Sequence, residues 1–594
     1  MEKEKKDSRA AAYIQFAVYA VLSAALTGFM FFYYRIRFTT TDDFLMAGIL
    51  GGAWGSGLNQ SVLFYSAYPL TWLLAKISAL TGIFNVYGAY LMGLTVLIFT
   101  GLHWAGICSG ISVFYHAAVL AAQLLVIGTC NWTTLAYLAF GTAVFLVSSF
   151  RRDMHAAERI ITWILMLLLG AGGGFLRPGV MITTLVLVLP LLLASLARQK
   201  MVRQVIGMVL LIAILVTGRL TSGRALTERL GGTWQAYGTW NAACASFRDY
   251  TKPDPEKYAD VYASIGWNEN DMDLAFNWNY ADQEVFGAEE YGILSGVQDF
   301  RERYNCDILD VIKQTWQDEQ ARIFGLAAAA VLLMALLVWI RKGDALALLA
   351  SALFTLGLVA ALYFRKRPYL RVSLPVILLG IFEMLLILTA AAADYDRASA
   401  GRWTIVRRHL GILAEIAAAG LLGLFFWYAV WGSVQDYAYD MRREDVRAYL
   451  TEHPDSLYCM TSGIASDLNV DIPVYGHSRD KYYDNKLSLG SWDLFSPRYY
   501  DQLEKFGVED GDHLYREMVL KDNIYIISTK IDSVLALAAY AADHYGIESE
   551  PLLVDQIGDD AFVYSLVESG VSGEEETIEA EITEETEETE DQDI

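Results

Sequence analysis

Long apolar stretches recur along this chain, and they leave few folds open to it. They lie near Ala11–Tyr34, Tyr87–Ile107, Val113–Gly128, Trp132–Phe150, Ile160–Gly174, Val180–Ala197, Val202–Leu220, Ile323–Ile340, Ala345–Phe364, Val372–Ala393 and Leu410–Trp431. Their lengths suit a bilayer-crossing helix, which needs about 20 residues. Hydrocarbon offers backbone groups no partner, so such segments must satisfy their own hydrogen bonds as helices. With 55% apolar residues and a mean hydropathy of +0.31, the chain is expected to be an α-helical polytopic membrane protein.

A further stretch, Val62–Leu80, is apolar but carries Pro69 and Lys76. Charge arbitrates, because short cytoplasmic loops collect Lys and Arg. With Lys3, Lys5 and Lys6 inside and about eleven spans, the basic loops Arg151–Arg159, Arg198–Arg203, Arg341–Asp344 and Asp396–Arg408 all fall inside. A twelfth span would turn them outward. Val62–Leu80 therefore reads as a helix along the outer surface, with Tyr65, Tyr68 and Trp72 at headgroup depth. The N-terminus, MEKEKKDSRA, lacks a small-residue cleavage site and reads as the cytoplasmic start of an uncleaved helix.

This topology divides the chain. Residues 1–220 form a transmembrane module with a first outer loop at 35–86, and 221–321 form an outer helical loop domain. Residues 322–432 return to the membrane, and 433–570 form a small extracytoplasmic α/β domain. In that domain SLYCMTSG, NIYIISTK and DAFVYSLVE read as strands and DSVLALAAYAADHYG as an amphipathic helix. The tail 571–594 contributes twelve acidic residues to a net charge of −23 and cannot bury a core. Five cysteines are too few for a disulfide framework; a Cys244–Cys306 bridge stays open if that stretch faces an oxidising compartment.

Two features resist a purely structural reading. Asp42 and Asp43 sit together beside a membrane exit, where like charges and nearby hydrocarbon raise a carboxyl's pKa and can make it a general base. The segment that follows has helical periodicity, so Thr41, Asp42 or Asp43 could equally be an N-cap. FRKRPYLR places Arg365, Lys366, Arg367 and Arg371 on the outer side, against the positive-inside trend. It could hold a phosphate with bidentate guanidinium geometry, touch anionic headgroups, or mark an error in the span count.

Arg177, in GGGFLRPGV, is a second cation at the outer side, with three glycines that allow close backbone approach. Trp54, Tyr65 and Tyr68 in the first loop, and Trp267 and Trp278 in the second, could stack on sugar rings or serve as anchors and core. His103 and His116 read as separate membrane histidines. No metal-ligand spacing, phosphate-binding glycine loop or Ser/His/Asp pattern occurs.

The order of a first helix, an outer Asp-Asp, an amphipathic helix and then YPLTWLLAKISALTG before a second span resembles the opening of the GT-C glycosyltransferases. It resembles in particular the protein O-mannosyltransferases and the aminoarabinose transferases. Tyr68-Pro69-Leu70-Thr71-Trp72 and Gly82 stand where those families have a Pro-Pro-Leu-Tyr-Tyr segment and a closing Gly, with the second Pro absent here. The resemblance covers about 11–107.

It implies a GT-C-like fold and transfer of a sugar from a polyprenyl-phosphate donor to an outer acceptor. Asp42 would be the general base, and Asp43 would orient the acceptor or help bind a divalent metal. Arg177, Arg365, Lys366, Arg367 and Arg371 would bind the donor phosphate, and Trp54, Tyr65 and Tyr68 the sugar or acceptor. Partners would be the lipid-linked donor, membrane lipid and a glycan, lipid or protein acceptor, with no nucleic acid. A flippase for a lipid-linked saccharide, or a membrane scaffold with an outer binding domain, are the competing readings.

Overall fold

The computed structural model describes residues 2–54, 61–110, 113–199, 202–319, 342–396, 443–470 and 472–569, with scattered residues between 321 and 329 and between 409 and 423. Among them, six helices are long and apolar enough to cross a membrane: Ala10–Tyr33, Val86–Ser109, Ala156–Leu176, Val202–Leu220, Asp344–Phe364 and Leu370–Leu388. A helix pair, Pro178–Leu187 and Leu189–Arg198, bent by 55°, has the length and composition of a broken span or a re-entrant loop. Two more of the expected spans are shorter apolar helices, Tyr115–Gly128 and Trp132–Ser148. The stretches at 323–340 and 410–431, and the acidic tail, lie largely or wholly outside the described residues.

The helices that position the site are α1 (Glu2–Tyr33), α2 (Thr41–Gly51), α3 (Tyr68–Thr81), α4 (Val86–Ser109), α5 (Val113–Gly128), α6 (Trp132–Ser148) and α7 (Ala156–Leu176). α3 takes up only the later part of the Val62–Leu80 stretch: residues 62–67 are not helical, and Tyr65 among them lines an internal cavity rather than a surface helix. The 14 residues of α3 are too few to span, Pro69 starts its first turn, and Gly82 ends it at a φ of 68°. α6 is buried along its whole length, as an all-apolar helix should be when it forms a bundle centre. α7 crosses it closely because a Cβ on Gly173 would meet the Ala136 carbonyl at 2.8 Å. The GGG run thus sets the end of α7 against the start of α6.

His103 and His116 are not separate. Their Nδ1 atoms lie 2.9 Å apart, and both rings stack on Tyr19.

Outside the helical bundle, five strands form one sheet: β1 (Leu457–Met460), β2 (Lys486–Ser488), β3 (Ile524–Ser528), β4 (Ser549–Ile557) and β5 (Ala561–Glu568). The order is β2-β1-β3-β5-β4. The first three strands run parallel, with Tyr458 opposite Tyr525, while β5 pairs antiparallel to β3 and β4. β2 and β4 add to the three strands expected from sequence.

The loop stretch 221–321 does not build its own core. Trp240, Phe247, Trp267 and Tyr291 share one buried cluster with Leu457, Cys459, Phe495 and Tyr540 of the sheet unit. Asp282 joins the two segments: burial raises its pKa to about 6, and it accepts hydrogen bonds from the Tyr540 and Tyr545 hydroxyls and the Tyr515 amide. Cys244 is buried in this cluster and Cys306 is exposed, both as free thiols, so the 244–306 bridge does not form.

The combined unit docks on the first loop. Phe38 N donates to Ile472 O at 3.0 Å, and Val474 N donates to Ile36 O at 2.7 Å.

Candidate active site

The Asp pair lies in the first turn of α2. Thr40 is the N-cap residue by its extended backbone and makes no side-chain cap bond, so neither aspartate is a cap. Both instead meet the positive end of the helix dipole. A helical step of about 100° turns the two side chains to different surroundings.

Asp43 is fully buried. Its Oδ1 accepts from Tyr87 Oη at 2.7 Å and Trp132 N at 3.2 Å, and its Oδ2 accepts from Thr40 Oγ1 at 2.7 Å. Burial dominates the three donors and pushes its pKa up to about 7. Asp43 therefore ties α2 to α4 and α6.

Asp42 faces open space and lies 3.5 Å from an Arg371 guanidinium nitrogen. That space is a cavity of about 400 Å³. Arg371 sits in the first turn of helix Leu370–Asp396. Four residues earlier, Arg367 enters the same cavity and pairs with Asp249 at 3.4 Å. Arg248 ends helix Gly232–Arg248, pairs with Asp249 at 3.4 Å and reaches Tyr65 Oη at 3.3 Å.

Arg177 lies over the Trp132 ring at 4.1 Å and donates to Thr133 Oγ1, a position that follows from the close α6–α7 crossing. Its surroundings, and then the charge of Arg371, lower its pKa from the usual guanidinium value, though an arginine stays charged.

The far wall comes from the sheet unit: helix Ser462–Val470 and the loop after β2, ending at Trp492. Four guanidinium groups and two carboxylates line the cavity, so two positive charges are left uncompensated among the described residues.

Of the residues singled out from sequence, Asp42, Arg177, Arg367, Arg371, Tyr65 and Trp278 line this cavity. Asp43 lies behind it. Arg365 and Lys366 are outside, exposed in the turn before Arg367, where Lys366 Nζ donates to Glu302 O at 2.7 Å. Trp54 packs against Phe44 and Tyr482, and its Nε1 donates to Tyr483 O at 3.4 Å. Tyr68 opens α3 away from the cavity, and Trp267 is core.

Sequence reasoning missed Arg248, Asp249 and the whole far wall. One signal for that wall was available: Ser462, Ala465, Ser466 and Asn469 are small or polar at the i, i+3, i+4, i+7 spacing of a helix face.

No family model matches the chain, and no curated protein matches it. Two solved structures are similar over most of its length. ArnT from Cupriavidus metallidurans bound to undecaprenyl phosphate is 12% identical, with 93% of this chain and 97% of that chain covered and a TM-score of 0.35. The same protein in the apo state is 12% identical over 94% and 98%, with a TM-score of 0.36.

The donor set does not favour a resident metal. A hard cation needs convergent oxygen ligands, but Asp43 is enclosed by donors and Asp42 and Asp249 are ion-paired. No group of three or more His, Cys, Asp or Glu converges among the described residues.

Proposed function

We propose that this chain is a membrane glycosyltransferase that moves a sugar from a polyprenyl-phosphate donor to an acceptor at the outer face of the membrane. The observation that carries the reading is the cavity's charge pattern. A surplus of guanidinium groups suits a phosphate, and the one carboxylate beside Arg371, Asp42, is placed to take a proton. The basic residues against the positive-inside trend divide accordingly. Arg367 and Arg371 serve the phosphate, while Arg365 and Lys366 serve the headgroup surface.

In the proposed reaction the acceptor hydroxyl loses its proton to Asp42 as its oxygen attacks the anomeric carbon. The bond from that carbon to the phosphate oxygen breaks, and the leaving polyprenyl phosphate keeps the electron pair. Arg177, Arg367 and Arg371 stabilise the charge that develops there. Arg371 also touches the base, so it couples the two ends of the displacement. Asp43 acts through position: it holds the α2 turn on which Asp42 stands. The far side of the cavity, with its sheet unit, is assigned to the extracytoplasmic side and the N-terminus to the cytoplasm.

One observation speaks for a lipid-linked saccharide flippase: the bent helix pair and the buried Glu383 of helix Leu370–Asp396. Both Glu383 oxygens are already used, however. Oε1 accepts from Leu191 N at 2.8 Å and Oε2 from Ser351 Oγ at 2.7 Å. The carboxyl satisfies the helix break, so the transferase reading stands ahead.

The test is sugar transfer from a labelled polyprenyl-phosphate sugar by purified Asp42→Asn and Arg371→Ala proteins. Full activity in both sinks the mechanism; donor translocation without transfer by the wild type favours the flippase.

A further inference from the structure

The cavity is polarised. Its charged groups lie on the bundle side and on the loop stretch, whereas the wall from the sheet unit is uncharged. Helix Ser462–Val470 explains this. Ile464 and Leu468 pack into a buried cluster with Met460 and Ile527, so the opposite stripe, Ser462, Ser466 and Asn469, is left to face the cavity. Ser488 and Ser491, after β2, extend that surface, and Trp492 closes it.

Several polar groups there have no protein partner. Asn469 is 5% exposed; Lys486 Nζ donates to its Oδ1 at 2.7 Å, and its Nδ2 donates to nothing among the described residues. Ser462 Oγ donates to Asn277 O and Ser491 Oγ accepts from Asp493 N, whereas the exposed Ser466 and half-buried Ser488 hydroxyls make no side-chain hydrogen bond among the described residues. Trp492 is 5% exposed, and its indole N–H is buried without a partner. The Trp492 N–H is the buried donor of this set and asks for a bound group, while the Asn469 amide and the Ser466 and Ser488 hydroxyls are open to meet one.

Resting on the transferase reading, we propose that this wall is the sugar subsite and that the transferred sugar is neutral. Hydroxyl and amide side chains, with an indole beside them, match the hydroxyls and apolar face of an uncharged pyranose or furanose ring. An amino sugar would want a carboxylate beside it, and none stands on this wall: both cavity carboxylates lie on the other side, next to arginines. A uronic acid would compete with the phosphate for those same arginines. Lys486 is then a positioning residue, fixing the Asn469 amide with its N–H groups unspent.

The test is binding to the purified full-length protein in lipid nanodiscs. Four probes are compared: polyprenyl phosphate, polyprenyl-phosphate glucose, polyprenyl-phosphate aminoarabinose and polyprenyl-phosphate glucuronate. The glucose lipid should bind about tenfold or more tighter than the bare phosphate, and tighter than either charged-sugar lipid. Ser466→Ala, at an exposed position that cannot unfold the domain, and Asn469→Ala should each remove about fivefold of that advantage while leaving bare-phosphate affinity unchanged. Lys486→Met should behave as Asn469→Ala does, with Lys486→Arg partly restoring the advantage.

Equal or tighter binding of the aminoarabinose lipid overturns the proposal, as does equal weakening of bare and glucosylated lipid in the wall variants. If no probe binds the wild type, the phosphate-carrier reading itself fails and takes the subsite with it.

Discussion

Asp42 and Arg371 lie 3.5 Å apart although 329 positions separate them in sequence, and both open on one cavity. In the proposed reaction this contact would join the base and a phosphate-binding cation in one compact unit for displacement at the anomeric centre. The neighbouring Asp43, identical in chemistry, is fully enclosed. The two aspartates should therefore fail in different ways.

Asp42→Asn should lower transfer by about 10²- to 10⁴-fold, the usual worth of a general base, with little change in thermal stability. Asp43→Ala should instead destabilise the fold by about 1–3 kcal/mol, because Tyr87 Oη and Trp132 N lose a buried acceptor. Activity assays paired with thermal unfolding in detergent separate the two outcomes. Matching defects would erase the distinction.

Arg371→Ala should reduce kcat more than it raises KM, since it acts on charge that grows in the transition state. Arg371→Lys should recover only part of the loss, lacking the bidentate fork. Arg365→Ala, outside the cavity, should leave both constants within about twofold, because surface positions contribute little. Steady-state kinetics on the three proteins check this.

The pH dependence of stability should carry the mark of Asp43. Its folded pKa, about 7, stands above its unfolded value near 4. The folded state holds the proton more tightly, so this group's stabilisation is full below about pH 4 and is lost as pH rises through 7. Asp43→Asn cannot ionise. Its melting temperature relative to wild type should rise from pH 5 to pH 8; a flat difference would show that Asp43 does not titrate in this window.

Glu383→Leu should cost about 1–3 kcal/mol, because the Leu191 N–H at the start of a half-helix loses its acceptor. Glu383→Gln keeps an oxygen there and should be near wild type. Thermal unfolding of the two variants decides whether Glu383 serves the helix break. Loss of transfer in the Gln variant, with stability intact, would give it a further role.

What could be read from sequence follows the range of the forces involved. The spans, α3 and three strands announce themselves through local apolar patterns. β4 does not, because Leu552, Leu553 and Val554 form an apolar run that is nonetheless about half exposed on the sheet edge. β2 is too short, at three residues, to show a period.

At the site, the Asp pair and the basic cluster stand out by being misplaced for a membrane protein. Which aspartate opens on the cavity is set by Tyr87 and Trp132, which are distant in sequence. Which cations enter depends on the turn before Leu370: Arg367 and Arg371 come in, and Arg365 and Lys366 stay out. The wall needed the docking of a second unit, which no local pattern encodes.

The shared core of the loop stretch and the sheet unit has a consequence for biogenesis. Trp240, Trp267 and Tyr291 are made early, yet Leu457, Phe495 and Tyr540, which share their core, are made some 200 residues later. Until then a large aromatic surface waits uncovered beside the membrane while further helices insert. Completion of the cavity is thus tied to the arrival of the sheet unit, and a chain stalled before it would be recognisable to quality control by that bare surface.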